Sequence, residues 1–431
     1  ALMMISYPMP LMSPWVIPAT IDFLSIANHF RRTAKLRFRV VKLIKILIGL
    51  ALKYYLYMLL PQYAGGHRMG IREDIYDRLA GGGRITVGEA LSLWEEAPSE
   101  ELMYVADQAR RRLHPGNRVG WMIDRNVNIT NICFSHCRFC NFCRNPKSRE
   151  AYVTTDEEYD RKIEKLLELG GDQLLLQGGM NPALGLDFYT GLFRRLKQRW
   201  PGVKLHALGP PEVAWLARAE RMSYRDVLTA LHDAGLDSLP GAGAEILSDR
   251  VRKIVSPAKA TVAEWLGVMR EAHRLNLPTS ATMMFGHAET IKERLEHLDM
   301  LRRLQDARPE GHDGFITFIP WPFMDRGTKL AEKDGIRSMV TAPEYLKVIA
   351  VSRLMLDNIR NIQASILTVG RETAMISLHC GANDLGSVMI EENVVSAAGE
   401  PFRVNPESMQ EIIREAGFIP VRRDQRYMPV E

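Results

Sequence analysis

Apolar residues recur along this chain with two spacings that alternate from about residue 125 onward. Short apolar runs at 127–131, 173–177, 203–208, 236–239, 279–285, 315–319, 363–367 and 386–390 have the length of buried strands, several bounded by Gly or Pro. Between them lie segments whose apolar residues return every three to four positions, the period of an amphipathic helix. These are 156–169, 186–199, 211–219, 224–234, 262–275, 290–304, 343–358 and 372–379. The first of them carries acids in its opening turn, where the helix dipole favours negative charge. A last helix is predicted over 406–416. Strands alternating with helices imply a parallel sheet, and eight of them predict a (β/α)8 barrel of the TIM type; a doubly wound open sheet is the second possibility. Residues 69–120 read as a helical lead-in, 121–400 as the barrel, and 401–431 as a C-terminal helix and tail.

Composition narrows the class. The chain has 431 residues, 46% apolar and 25% charged, which suits a folded globular protein and excludes a disordered or collagen-like one. The net charge of +5 is unevenly placed. Residues 1–68 hold nine of the 56 Lys/Arg and one of the 51 Asp/Glu, so the remainder has 47 basic against 50 acidic residues. That body lacks the positive surface of a nucleic-acid binder, and no such partner is expected. Residues 1–30 carry no Lys or Arg, unlike the start of a signal peptide. The apolar stretch 46–60 is shorter than the roughly 20 residues of a membrane span. Segment 1–68 therefore reads as an over-extended leader before a start at Met69, as a basic helix whose residues 31–60 touch an anionic membrane surface, or, last, as a span.

Four of the five cysteines crowd into eleven residues: Cys133, Cys137, Cys140 and Cys143. Such clustering in a large chain points to metal or redox chemistry in a reducing compartment, the cytoplasm, rather than to disulfides. Thiolates select iron–sulfur clusters, zinc or copper. All four could close a structural site, zinc or an inert cluster. Alternatively the first three hold a cubane that lacks a fourth thiolate, which leaves one iron open to a small ligand. The cramped spacing of the last pair favours the second reading.

Cys133, Cys137 and Cys140, with Phe139 before the third, follow the first predicted strand. This C-x3-C-x-aromatic-C string resembles the radical S-adenosylmethionine (SAM) superfamily. The resemblance implies a [4Fe–4S] cluster on those three cysteines, SAM chelated at the open iron, and an electron donor such as flavodoxin or ferredoxin. It also implies SAM-binding roles for Gln177, Gly178 and Gly179 after the second strand, for Glu245, and for Gly286 and Glu289 after the fifth. Each has a plainer reading: the glycines as strand-end turns, Glu245 as an acid at a helix start.

Longer strings narrow the resemblance over about residues 70–431. Among them are Gln177-Gly178-Gly179-Met180-Asn181-Pro182, His206-Ala207-Leu208-Gly209-Pro210-Pro211-Glu212 and Pro240-Gly241-Ala242-Gly243-Ala244-Glu245. They are similar to the futalosine-pathway group of menaquinone biosynthesis, and favour its dehypoxanthine futalosine cyclases over aminofutalosine synthases and large FO-synthase subunits. The implied substrate is dehypoxanthine futalosine: a hydrogen atom leaves its C4′, the carbon radical adds to the benzoate ring, and loss of an electron and a proton restores aromaticity. His206, Glu212, His287 and Asp384 are the candidate proton acceptors at strand ends, although a lone histidine is more often structural. Cys143 departs from the group's pattern. The rival from another class is a zinc-stabilised scaffold without catalysis.

Overall fold

The computed structural model describes residues 71–390 and 404–430; the expectations for residues 1–68 fall outside them. Three helices, Ile71–Ala80, Val87–Glu96 and Ser99–Leu113, lead in. Among the described residues nine strands follow: β1 (Arg118–Met122), β2 (Asp124–Asn128), β3 (Gln173–Gln177), β4 (Lys204–Ala207), β5 (Thr279–Phe285), β6 (Phe315–Pro322), β7 (Asn361–Ile362), β8 (Asp384–Ser387) and β9 (Ile419–Arg422).

Hydrogen bonding closes eight strand positions into a parallel ring. β2, β3 and β4 run side by side, as do β5, β6 and β7. Ser238 and Leu239 join the two groups by bridging to His206 and Thr279. Gln363 bridges to Asp384 of β8, β8 pairs with β1, and Ile390 bridges to Arg125 of β2. The closing bonds run from Asn126 N–H to the Ile390 carbonyl at 3.2 Å and from Ile390 N–H to the Asp124 carbonyl at 3.0 Å. The ring confirms the (β/α)8 barrel and excludes the open sheet.

Strands buried on both faces read as continuous apolar runs, and all seven residues of β5 are buried. Outside, helices start where Thr caps them: Thr155 with Glu158, Thr261 with Glu264 and Thr290 with Glu293 form reciprocal capping boxes. Their apolar stripes face the sheet; Trp265 of helix Val262–Arg274 stacks on Phe315 of β6 at 6.2 Å.

Some elements differ from the sequence pattern. The run 236–239 forms only the two bridging residues, because Asp237 turns aside to accept from Leu205 N–H at 2.7 Å and Lys197 at 2.6 Å. Helix Ile366–Ser377 takes residues expected in a strand, leaving β7 two residues long. Helix Asp249–Val255 lies in a stretch to which the apolar spacing assigns no element. The tail is not an appendage: after helix Pro406–Glu415, β9 pairs with β1, and Arg423, Gln425 and Tyr427 enter the barrel lumen. Among the described residues, no helix is long and apolar enough to cross a membrane.

Candidate active site

The cysteine loop leaves the C-terminal end of β2, and its backbone is held from several sides. Asn131 donates to the Glu150 carbonyl and accepts from Tyr152 N–H, at 2.7 and 2.9 Å. Phe134 N–H donates to the Met180 carbonyl at 3.1 Å, Arg138 N–H to the Val255 carbonyl at 2.9 Å, and Leu330 N–H to the Arg138 carbonyl at 2.8 Å. His136, at φ 47°, makes the turn between the first two cysteines. Burial pushes the Cys137 thiol up to about 11. A hydrogen bond from the Cys143 thiol pulls Cys133 down to about 5, and the same bond pushes Cys143 up. The Cys143 thiol also lies 3.2 Å from the Cys133 carbonyl and 3.5 Å from His136 Nδ1. Among the described residues, no three Cys, His, Asp or Glu side chains converge as the ligands of one metal ion do; the thiolates of a cubane each bind a separate iron.

The glycines after β3 face this loop. A Cβ on Gly179 would lie 2.1 Å from the Ile132 carbonyl oxygen and 2.9 Å from Cys133 Cβ, and one on Gly178 2.9 Å from the Thr130 carbonyl oxygen. Gly179 N–H donates to the Thr130 carbonyl at 2.7 Å. Glycine at both positions is required by the close approach of two strand ends.

Glu245 is buried at φ 41°, with Lys259 Nζ at 2.9 Å and Arg252 Nη1 at 3.5 Å. Burial alone would raise its pKa, but those two cations hold it below the usual carboxylate range. The Lys259 ammonium also lies 5.5 Å from the centre of the Phe139 ring. Glu212 sits in the first turn of helix Pro210–Glu220. Its Oε2 is buried without a partner, and burial pushes the carboxyl up to about 7.

A cavity of about 390 Å³ fills the barrel, lined by Phe139, Gln177, His206 and Glu245 among the residues singled out from the sequence. His206 Nδ1 lies 2.6 Å from Ser238 Oγ, which donates to Gln425 Oε1 at 2.8 Å. Ser238 has one proton, so His206 Nδ1 carries the hydrogen in that pair and Nε2 keeps its lone pair. Burial lowers the His206 pKa to about 4, so the ring is neutral near pH 7.

The other candidates are occupied by the fold. His287 Nδ1 accepts from Ala288 N–H at 2.7 Å and Nε2 pairs with the Met284 carbonyl at 2.9 Å, leaving no nitrogen for a ligand. Glu289 accepts from Gly286 N–H and His287 N–H, at 2.6 and 3.0 Å, and from Arg294 at 2.7 Å. It holds the loop after β5 in shape, while Gly286, at φ 89°, turns that loop. Asp384 is fully buried in a two-point pair with Arg423. Sequence reasoning missed Lys259, Arg252, Ser238 and Gln425. Their partners lie 14, 7, 32 and 187 positions away along the chain, and no local pattern joins them.

Residues 127–301 match the model of the radical SAM superfamily, and residues 312–431 match the CofH/MqnC C-terminal region. The chain is 41% identical, over 355 residues, to the cyclic dehypoxanthine futalosine synthase of Halalkalibacterium halodurans, covering 82% of this chain and 94% of that protein. The chain belongs to the radical SAM superfamily. It is also 38% identical, over 357 residues, to the 5-amino-6-(D-ribitylamino)uracil--L-tyrosine 4-hydroxyphenyl transferase of Methanopyrus kandleri, with 82% and 95% covered. Among solved structures it is similar in fold to methylornithine synthase (PylB), with a TM-score of 0.61 at 19% identity over 81% of this chain and 97% of that one.

Radical SAM enzymes use a [4Fe–4S] cluster and SAM, and the residues present fit both. Cys133, Cys137 and Cys140 supply three soft donors on one loop. Glu245 lines the cavity beside that loop, and the buried Glu212 Oε2 has no partner among the described residues. When bound, this pair supplies a carbon radical able to remove a hydrogen atom from a substrate. The protein places the thiols on one loop and presents an uncharged imidazole to the cavity.

Proposed function

We propose that the chain cyclises dehypoxanthine futalosine to cyclic dehypoxanthine futalosine, a step toward menaquinone. The net change removes a hydrogen atom from C4′ of the sugar and joins that carbon to the benzoate ring. The ring proton then passes to a base of the protein, and one electron returns to the electron-transfer protein that supplied one at the start. The observation that carries this reading is the bare His206 Nε2 lining the cavity, its tautomer set by Ser238 and Gln425. A ring carbon that has just gained a bond is a strong acid once oxidised, so a neutral imidazole is basic enough. Of the four candidate bases, His206 reaches the cavity; Glu212 lies nearer the cysteine loop and is assigned to the cofactor. The 41% identity to a cyclic dehypoxanthine futalosine synthase supports the same reading. A flavodoxin- or ferredoxin-class protein would supply the reducing electron, in a cytoplasm that keeps the thiols reduced.

The test is anaerobic incubation of reconstituted, reduced protein with SAM and dehypoxanthine futalosine, followed by mass spectrometry. The expected result is a product two hydrogens lighter and release of 5′-deoxyadenosine. SAM consumed without that release indicates an adenosyl-adding synthase. Joining of 5-amino-6-(D-ribitylamino)uracil to a tyrosine-derived hydroxyphenyl group, with dehypoxanthine futalosine untouched, assigns the chain to its transferase relatives instead.

A further inference from the structure

The near balance of basic and acidic residues after residue 68 hides a local imbalance. Three segments follow the C-terminal ends of barrel strands and adjoin: 138–150 in the cysteine loop, 249–255, and 325–337 after β6. Arg138 N–H donates to the Val255 carbonyl at 2.9 Å, and the Arg138 carbonyl accepts from Leu330 N–H at 2.8 Å. Asn141 Nδ2 donates to the Arg326 carbonyl at 2.9 Å. Together the three segments hold eleven Lys/Arg against five Asp/Glu, whereas the rest of residues 69–431 holds 36 against 45. Positive charge is thus gathered around the loop that carries the thiols, on a body that is otherwise acidic.

Much of that charge is open. Lys147, Arg149, Lys253, Lys329, Lys333 and Arg337 are exposed, and none of them makes an ion pair among the described residues. Arg138, Arg144 and Arg250 are matched instead, by Asp334, Glu150 and Glu293. Six unmatched like charges around one loop raise the local potential and attract an anionic partner. Met339 is 81% exposed two residues beyond Arg337 and adds an adaptable apolar contact.

The chemistry of the place selects among anionic partners. The helices here are four and seven residues long, too short to lie as amphipathic helices in a membrane surface. Exposed acids, Glu150, Glu332 and Asp334, interrupt the collar, and a phosphate backbone would meet them unfavourably. At the centre stand the cluster thiols. Reductive cleavage of SAM takes one electron, and the fifth cysteine, Cys380, is buried apart from this loop.

We propose that these three segments form the docking surface for a small acidic one-electron carrier of the flavodoxin or ferredoxin class, with Lys147, Lys253, Lys329 and Lys333 steering it to the cysteine loop. The inference rests on the electron demand of the proposed function and is independent of which substrate is cyclised. One electron leaves the carrier, which is oxidised, and enters the cluster, which is reduced; no bond of this chain changes. Such steering acts before contact and is screened by salt.

The test uses the full-length, cluster-loaded protein without dehypoxanthine futalosine. The probes are a flavodoxin and a [4Fe–4S] ferredoxin, both of strongly acidic surface. Calorimetry gives the Kd of each oxidised carrier, and stopped-flow absorbance gives the rate at which each reduced carrier bleaches the cluster. Lys253→Glu/Lys329→Glu/Lys333→Glu is compared with Lys165→Glu/Arg194→Glu/Arg270→Glu, an equal charge change at exposed sites on the outer helices. Iron content and circular dichroism check folding, and Lys253→Gln/Lys329→Gln/Lys333→Gln serves if the first triplet loads poorly. At low ionic strength the collar variant should bind and accept electrons at least tenfold more weakly from one or both carriers, and should lose the salt dependence of wild type. Photoreduction by a deazaflavin, which needs no docking, should drive SAM cleavage equally in both triplets. Wild-type binding and rate in the collar variant, or an equal loss in the outer triplet, overturns the surface. So does a wild type that neither carrier reduces, while turnover of dehypoxanthine futalosine under deazaflavin would still support the cyclase reading. The expected loss in a protein that makes no cyclic product keeps the surface and removes the cyclase reading. If the collar variant loses binding to phosphatidylglycerol vesicles or to a DNA duplex and keeps the carriers, the charge serves that partner and the proposal falls.

Discussion

Cys133, Cys137 and Cys140 share a loop tied to three other segments, whereas Cys380 is buried near Asp107, its thiol pushed up to about 12 chiefly by burial. Cys140→Ala should therefore abolish the cluster's visible absorbance and SAM cleavage, and Cys380→Ala should keep both; iron and sulfide assays with 5′-deoxyadenosine detection check this. The Cys143 thiol lies within hydrogen-bond reach of the Cys133 carbonyl, so Cys143→Ser should retain iron and sulfide. Loss of one iron equivalent would make it a ligand instead. The cysteines were legible in the sequence because their spacing is local. The base was not. His206, His287 and Asp384 looked alike as polar groups at strand ends, and only the tertiary partners separate them: backbone for His287, Arg423 for Asp384, Ser238 and Gln425 for His206. Gln425→Leu removes the acceptor that orders this chain, and kcat should fall at least tenfold with KM for SAM unchanged. Gln425→Glu, which keeps an acceptor oxygen, should restore part of the rate; a Leu variant at wild-type kcat would remove Gln425 from the mechanism.

The elements that the hydrophobic pattern revealed are those whose burial is decided by their own residues, such as β5 and the capped helices around it. Those it hid depend on partners. β7 is short because the chain turns at Ser365 into helix Ile366–Ser377, whose Gly370, at φ 75°, breaks the helical conformation. β9 is half exposed and acquires its pairing from β1, so no alternation marks it. The approach of β3 to the cysteine loop is also a property of two elements, and Gly179 is where they touch. Gly179→Ala would force its Cβ against the Ile132 carbonyl. Backbone rather than a flexible side chain must give way, so the loop should shift. The expected outcome is near-native circular dichroism with cluster content lowered at least several-fold. Full iron loading in that variant would show that the loop tolerates displacement.

Taken as a whole, the barrel buries several imidazoles in neutral form. Burial lowers His206 and His114 to about 4, and His273 and His297 to about 3. His297 Nδ1 accepts from Leu247 N–H at 3.0 Å, and the His273 ring stands edge-on to Phe315 at 4.6 Å. An unfolded chain protonates each of them near pH 6.5. Between that pH and about 4 the unfolded state therefore binds protons that the folded state refuses, and stability must fall as pH falls. Glu212 acts in the opposite sense: with its folded pKa raised by burial to about 7, the folded state holds a proton that the unfolded carboxyl has released. Burial likewise lowers His287 and His379 and raises the carboxyls of Asp124 and Asp172, so six imidazoles stand against three carboxyls and a net loss remains on going from pH 7 to pH 5. Each unmatched proton contributes about 1.4 kcal/mol per pH unit. The urea midpoint should accordingly drop over that interval. His297→Asn, whose side-chain oxygen can still accept from Leu247, should flatten the dependence by about one proton. A midpoint that rises toward pH 5 would mean that these rings take up protons in the folded barrel.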